Sequence, residues 1–138
     1  MTPKQIELVQ GSFAQVAPIA DEAAALFYHN LFTADPGLKP LFKGDMLVQG
    51  KKLMQMIGVA VGKLNELDAL VPVLQRLGAG HVDYGVEDSH YATVGAALLK
   101  TLGQGLGDAF TEEVEQAWTT AYGLMANTMI EAANKATA

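Results

Sequence analysis

The stretch LGAGHVDYGVEDSHYATVGAALL, residues 77–99, sets a histidine between two helical patterns. Upstream, LDALVPVLQRLGAGH repeats leucine at Leu67, Leu70, Leu74 and Leu77. Those three- and four-residue steps place apolar side chains on one helix face. Pro72 is read as lying in the first turn, where a missing N–H is tolerated, and Gly78 and Gly80 predict the helix end. Downstream, Asp88 or Ser89 caps a helix whose inward face holds Tyr91, Val94, Leu98 and Leu102. His81 therefore falls at a helix C-terminus, where a lone histidine is either a surface or capping residue or a ligand. The rest of the chain bears on that choice.

Toward the N-terminus, Thr2, Pro3 and Gln5 form the signature of a capped helix start, with a turn near Pro18. ADEAAALFYHNLF then carries Leu26, Phe27 and Leu31, with Tyr28 and Phe32 on an adjoining strip, at helical spacing. TADPGLKPLF reads as one or two tight turns ending near Phe42. From about Met46 to Leu67, an apolar face runs through Leu53, Met56, Ile57, Ala60, Val61 and Leu64. Gly50, Gly58 and Gly62 lie along it at a cost of roughly 1 kcal/mol each relative to Ala, tolerable where another helix or a flat ligand comes close. After the glycine-punctuated GQGLGD, read as a loop, Thr111 opens a last helix through Trp118, Tyr122, Met125 and Met129, with Glu112 and Glu113 favouring its N-terminal dipole. No strand pattern competes, so the expected class is all-α, about seven helical segments with short connections.

The 138 residues suit one domain, 1–138, able to bury a core without staples. No apolar run reaches the 18 or so residues of a membrane span, and MTPKQIELVQ lacks a secretory layout, which points to the cytoplasm. A formal charge of −6 argues against nucleic acid or an anionic membrane as partner. The absence of cysteine excludes disulfides, thiol catalysis and Cys-ligated metals, leaving His29, His81, His90 or carboxylates for any metal. There is no hydrolytic triad, H-E-x-x-H or phosphate-binding glycine motif. An all-α chain with one histidine beyond its fifth helix, an aromatic and a glutamine upstream, and glycines easing helix approach suits a flat apolar cofactor held by one axial nitrogen. Haem has that shape.

ALFYHNLF, KPLF, QGKKLM, HVDYGVEDSHYATVG and AWTTAYGLMAN, in that order and spacing, closely resemble the bacterial single-domain globins and the globin module of flavohaemoglobins. The resemblance covers essentially the whole chain and implies a globin fold around a haem b pocket. By resemblance, His81 is the proximal ligand of the haem iron, and Phe42 packs on the porphyrin while also serving as a core aromatic. Tyr28 is the distal hydroxyl donor to bound dioxygen, with Gln49 and Leu53 beside it on the distal helix. Val86, Tyr91 and Val94 are likewise implied as cofactor contacts. Without the family, Tyr28 reads equally as a buried phenol satisfied by a backbone carbonyl. The family's proximal His–Tyr–Glu cluster is incomplete, because Ala133 stands at the acidic position and Glu131 points roughly 200° away around a helix of 3.6 residues per turn.

His29 and His90 are expected to face away from the haem. Lys52 is either a solvated lysine or a propionate contact, and Tyr122 is a core residue and a candidate neighbour of the distal pocket. The implied function is reversible binding of dioxygen, and of nitric oxide or carbon monoxide, at a pentacoordinate ferrous iron, with slow oxygen release. The alternatives are nitric oxide dioxygenation with a separate reductase and a haem-free interaction module.

Overall fold

The computed structural model describes residues 1–42, 45–83 and 88–137, with side chains at all of these except 41, 80–83, 88, 136 and 137. Among the described residues there are six α-helices: α1 Pro3–Val16, α2 Ala20–Ala34, α3 Met46–Gly62, α4 Leu67–Asp83, α5 Asp88–Leu106 and α6 Glu112–Thr137. Short 3₁₀ turns at Ala17–Ile19, Pro36–Leu41 and Gly107–Ala109 punctuate them. The all-α expectation holds, with no strand among the described residues.

Local capping accounts for where several helices begin. The Thr2 hydroxyl accepts from the Gln5 N–H at 3.1 Å while the Gln5 side chain accepts from the Thr2 N–H at 3.0 Å, a reciprocal box that satisfies two otherwise unpaired donors. Asp35 accepts from the Gly37 N–H, and Thr111 from the Val114 N–H. Asp45, whose role the sequence reading passed over, caps α3 by accepting from the Leu47 and Val48 N–H groups.

Four helix boundaries differ from expectation. α3 stops at Gly62, where the Lys63 and Leu64 amides turn back onto carbonyls of the last turn, rather than running to Leu67. α4 begins at Leu67, so Pro72 lies in its second turn; both Pro72 and Asp68, whose carbonyl loses its helical donor, are exposed to water. α4 also continues through Gly78 and Gly80 to Asp83, placing His81 within its last turn. The reason lies in α6: a Cβ at Gly78 would sit 2.6 Å from the Met129 Cα and closer still to the Met129 carbonyl oxygen. Gly78 marks a backbone-to-backbone crossing. Likewise α5 runs on through Gly103 and Gly105 to Leu106, and the chain turns only at Gly107, which adopts a left-handed φ of 56°.

α4 packs along α6, α2 along α5, α1 against α6, and α3 across α2. The main core is built around the fully buried Trp118, with Val9, Leu64, Leu70, Leu74 and Ala117. Its indole N–H donates to the Ser12 hydroxyl at 2.8 Å, and that hydroxyl donates to the Leu8 carbonyl, joining α1 to α6 without an orphaned polar atom. Ser12→Ala is expected to leave the buried indole N–H unsatisfied and to cost about 1–3 kcal/mol in urea unfolding. A loss under about 0.5 kcal/mol would show that the pair contributes no more than a surface contact. A second buried link, Asn30 donating to Thr101 and Gln104 at 3.0 and 2.9 Å, fixes α2 against α5.

Candidate functional site

Beside the Trp118 core lies a second apolar cluster centred on Phe27, Tyr28, Leu31, Leu38 and Ala97, into which Phe32, Phe42, Met46, Leu53 and Val94 pack from the rim. Four elements meet here. α2 supplies Tyr28 and Phe32, the Pro36–Leu41 turn ends in Phe42, α3 contributes Met46 and Leu53, and α5 contributes Val94. Four residues singled out in the sequence, Tyr28, Phe42, Leu53 and Val94, are thus brought together by the fold. Leu38 and Met46 were missed, since single apolar residues in a short turn and at a helix start carry no periodic signal.

Gly50 makes the crossing possible. A Cβ there would approach Ala24 Cβ to 2.9 Å and the Tyr28 ring to 3.7 Å, so its bare backbone lets α3 settle against α2. Of the other glycines read as approach points on this helix, Gly58 would put a Cβ 3.4 Å from Phe13, whereas Gly62 faces nothing within 4 Å.

Tyr28 is held by aromatic rings on several sides. Its centroid lies 5.4 Å from Phe27 and 5.5 Å from Phe42 in edge-on arrangements, and 6.0 Å from a nearly parallel Phe32. Those rings fix the phenol without using its hydroxyl. The side chain is 8 % exposed, yet its hydroxyl makes no hydrogen bond to any of the described residues. Among the described residues no fully enclosed side-chain polar atom lacks a partner, so this hydroxyl opens onto space a small molecule can reach. Burial raises the Tyr28 pKa above the ordinary tyrosine value, which keeps the group a donor across the neutral range.

Gln49 is half-buried beside Gly50, and Lys52 is exposed. Tyr91 is buried on α5, and its carbonyl accepts from the Tyr122 hydroxyl at 2.6 Å. The Tyr122 ring packs against Gly95, where a Cβ would meet it at 2.6 Å. That contact ties Tyr122 to Tyr91 between α5 and α6, rather than to the Tyr28 cluster for which the sequence made it a candidate. Burial, aided by the neighbouring Tyr91, pushes the Tyr122 pKa well up. His29 is exposed and His90 half-buried. The His81 side chain and Val86 lie outside the described residues.

Comparison with known proteins follows the same lines. The family model described as Globin matches residues 25–129. The flavohemoprotein of Vibrio cholerae is 28 % identical over 134 residues, 95 % of this chain and 34 % of that protein. The flavohemoprotein of Bacillus subtilis is 30 % identical over 132 residues, 92 % of this chain and 33 % of that protein. The chain thus spans about a third of the length of these curated relatives. Among solved structures, a bacterial globin from Campylobacter jejuni superposes with a TM-score of 0.85 at 28 % identity, covering 97 % of each chain. A hexacoordinated heme protein from a tardigrade shares the fold, with a TM-score of 0.88 at 19 % identity, over 97 % of this chain and 96 % of that one.

Proposed function

The chain belongs to the globin family, for which haem is the implied cofactor, and from that premise we propose that it binds dioxygen reversibly at a pentacoordinate haem b iron. The observation that carries the reading is the Tyr28 phenol, whose ring is fixed by Phe27, Phe32 and Phe42 while its hydroxyl remains unbonded and reachable. A phenol whose ring is clamped while its hydroxyl faces reachable space suits a donor to a small ligand, and the surrounding aromatic and aliphatic side chains supply apolar surface of the kind a porphyrin buries.

His81, in the last turn of α4, is the residue assigned to hold the iron. Bound haem supplies a ferrous iron that takes up a diatomic gas. Phe42, Val86, Tyr91 and Val94 are assigned to contact the cofactor, and Leu53 to keep the gas side dry. Tyr28 would donate a hydrogen bond to a gas ligand that carries partial negative charge, and Gln49 is assigned to the same side; in a water-poor site such a bond would slow release. Carbon monoxide and nitric oxide are further ligands of the same site. Ala133, buried on α6, offers no carboxylate to the proximal side, so little extra electron donation through His81 is expected.

Tyr28→Phe tests the assignment. The variant is expected to keep haem and to release oxygen roughly 10- to 100-fold faster, the equivalent of losing about 1.5–3 kcal/mol of charge-assisted hydrogen bonding, in a stopped-flow displacement measurement. An unchanged rate removes Tyr28 from the role. The ferrous, gas-free absorption spectrum tests pentacoordination, which two strong axial ligands would rule out. The flavohemoprotein relatives favour a second reading, nitric oxide dioxygenation in the cytoplasm with electrons from a separate reductase. Sustained nitrate formation with an added reductase, against one event per haem, separates the two.

A further inference from the structure

Helix α3 has an outward face on which apolar and basic residues alternate. Leu47, Val48 and Val59 are 58, 47 and 43 % exposed, half of the large exposed hydrophobics among the described residues. Lys51, Lys52 and Gln55 are exposed between them. The one-turn steps from Leu47 to Lys51, from Val48 to Lys52, and on through Gln55 to Val59 make these side chains neighbours on a single surface. The other side of the helix is committed: Gly50, Ala60 and Val61 are buried, and Leu53 packs into the Tyr28 cluster. Isolated exposed hydrophobics are ordinary, but three on one helix alternating with lysines form a patch.

Its charge is opposite to that of the molecule. The seventeen residues of α3 include two lysines and no Asp or Glu, giving the helix +2 in a chain of −6, so the remainder carries −8. The carboxylate just before it, Asp45, is engaged by the Leu47 and Val48 N–H groups at 2.8 and 3.4 Å as the helix cap.

We propose that this face docks an acidic soluble protein, with apolar contact at Leu47, Val48 and Val59 and carboxylates on Lys51 and Lys52. The choice of partner class, a one-electron flavoprotein, rests on the haem function proposed above. There one electron leaves the partner's reduced flavin and one is gained by ferric iron, with no atom crossing the interface. Charge complementarity selects this occupant. A two-fold pairing of copies would bring the lysines of α3 against their own counterparts, while a head-to-tail contact onto the acidic remainder does not close by itself.

The test uses ¹⁵N-labelled protein as isolated, titrated at low ionic strength with flavodoxin, a small acidic flavoprotein. Amide shifts are expected along residues 47–59 and are expected to fade at about 0.3 M salt, where exposed charges are screened. The pair Lys51→Glu and Lys52→Glu is expected to weaken Kd by about tenfold or more, whereas Lys100→Glu on α5 leaves it unchanged. A footprint elsewhere, no footprint, or a Kd indifferent to the paired substitution overturns the proposal. So do shifts reproduced by concentrating the protein alone or by phosphatidylglycerol vesicles. Because the footprint is read without haem chemistry, docking on α3 in a chain that does not bind haem would sink the gas-binding reading and leave the surface standing.

Discussion

His81→Ala is expected to abolish most haem retention, with affinity falling by more than the 10- to 100-fold or so that loss of an outer-shell partner costs. The chain has no cysteine and three histidines, so little else can take over as an axial ligand. His29 is exposed on α2, and His90, half-buried on α5, adjoins Tyr91, whose carbonyl is tied to Tyr122. His81, by contrast, lies on the last turn of a helix whose path is fixed by the Gly78 crossing three residues earlier. The measurement is the Soret absorbance per polypeptide after reconstitution, with and without added imidazole. Recovery of the band with imidazole in His81→Ala would localise the ligand to the space vacated by the side chain. A variant with full haem content and an unchanged spectrum would transfer the axial role to another residue and remove the central assignment.

Gly78→Val is expected to be among the most destabilising single substitutions in the protein, costing about 3 kcal/mol or more, at or beyond the upper end of ordinary overpacking. The added Cβ would lie 2.6 and 2.7 Å from the Cα and carbonyl carbon of Met129. Those are backbone atoms of a 26-residue helix, which cannot swing aside as a flexible side-chain end can. Relief requires α4 and α6 to separate, opening the seam along which the two helices pack. Thermal unfolding should fall by roughly 10 °C or more for a domain of this size. Gly11→Ala supplies the contrast: exposed in mid-helix with nothing within 4 Å, it should gain up to about 1 kcal/mol from helix propensity. Equal effects at the two positions would mean that the crossing relaxes easily, and α4 would no longer be a rigid support for His81.

Much of the local architecture is legible in the sequence. Thr2 with Gln5, Asp35 before Pro36, and Thr111 before an acidic first turn each start a helix where expected, because a cap is a contact between residues two or three apart. The aromatic strip of α2 was equally visible. Its meeting with Phe42, Leu53 and Val94 was implied only through the family resemblance, since residues from four elements share no periodicity.

The sequence by itself determined the helical class and most helix starts, because both rest on contacts between residues close in the chain. Only the tertiary structure decided what the glycines do and where Tyr122 belongs. A glycine after a run of leucines looks the same whether it ends a helix or lets another backbone approach. Gly78 does the second and Gly107 the first, and the difference is the position of Met129, some fifty residues along the chain. Tyr122 stands on the inward side of α6 in either reading, but the open surface above Gly95 draws its ring toward α5 and its hydroxyl to the Tyr91 carbonyl. Periodicity fixes which face of a helix turns inward, and the identity of what that face meets is a long-range packing outcome.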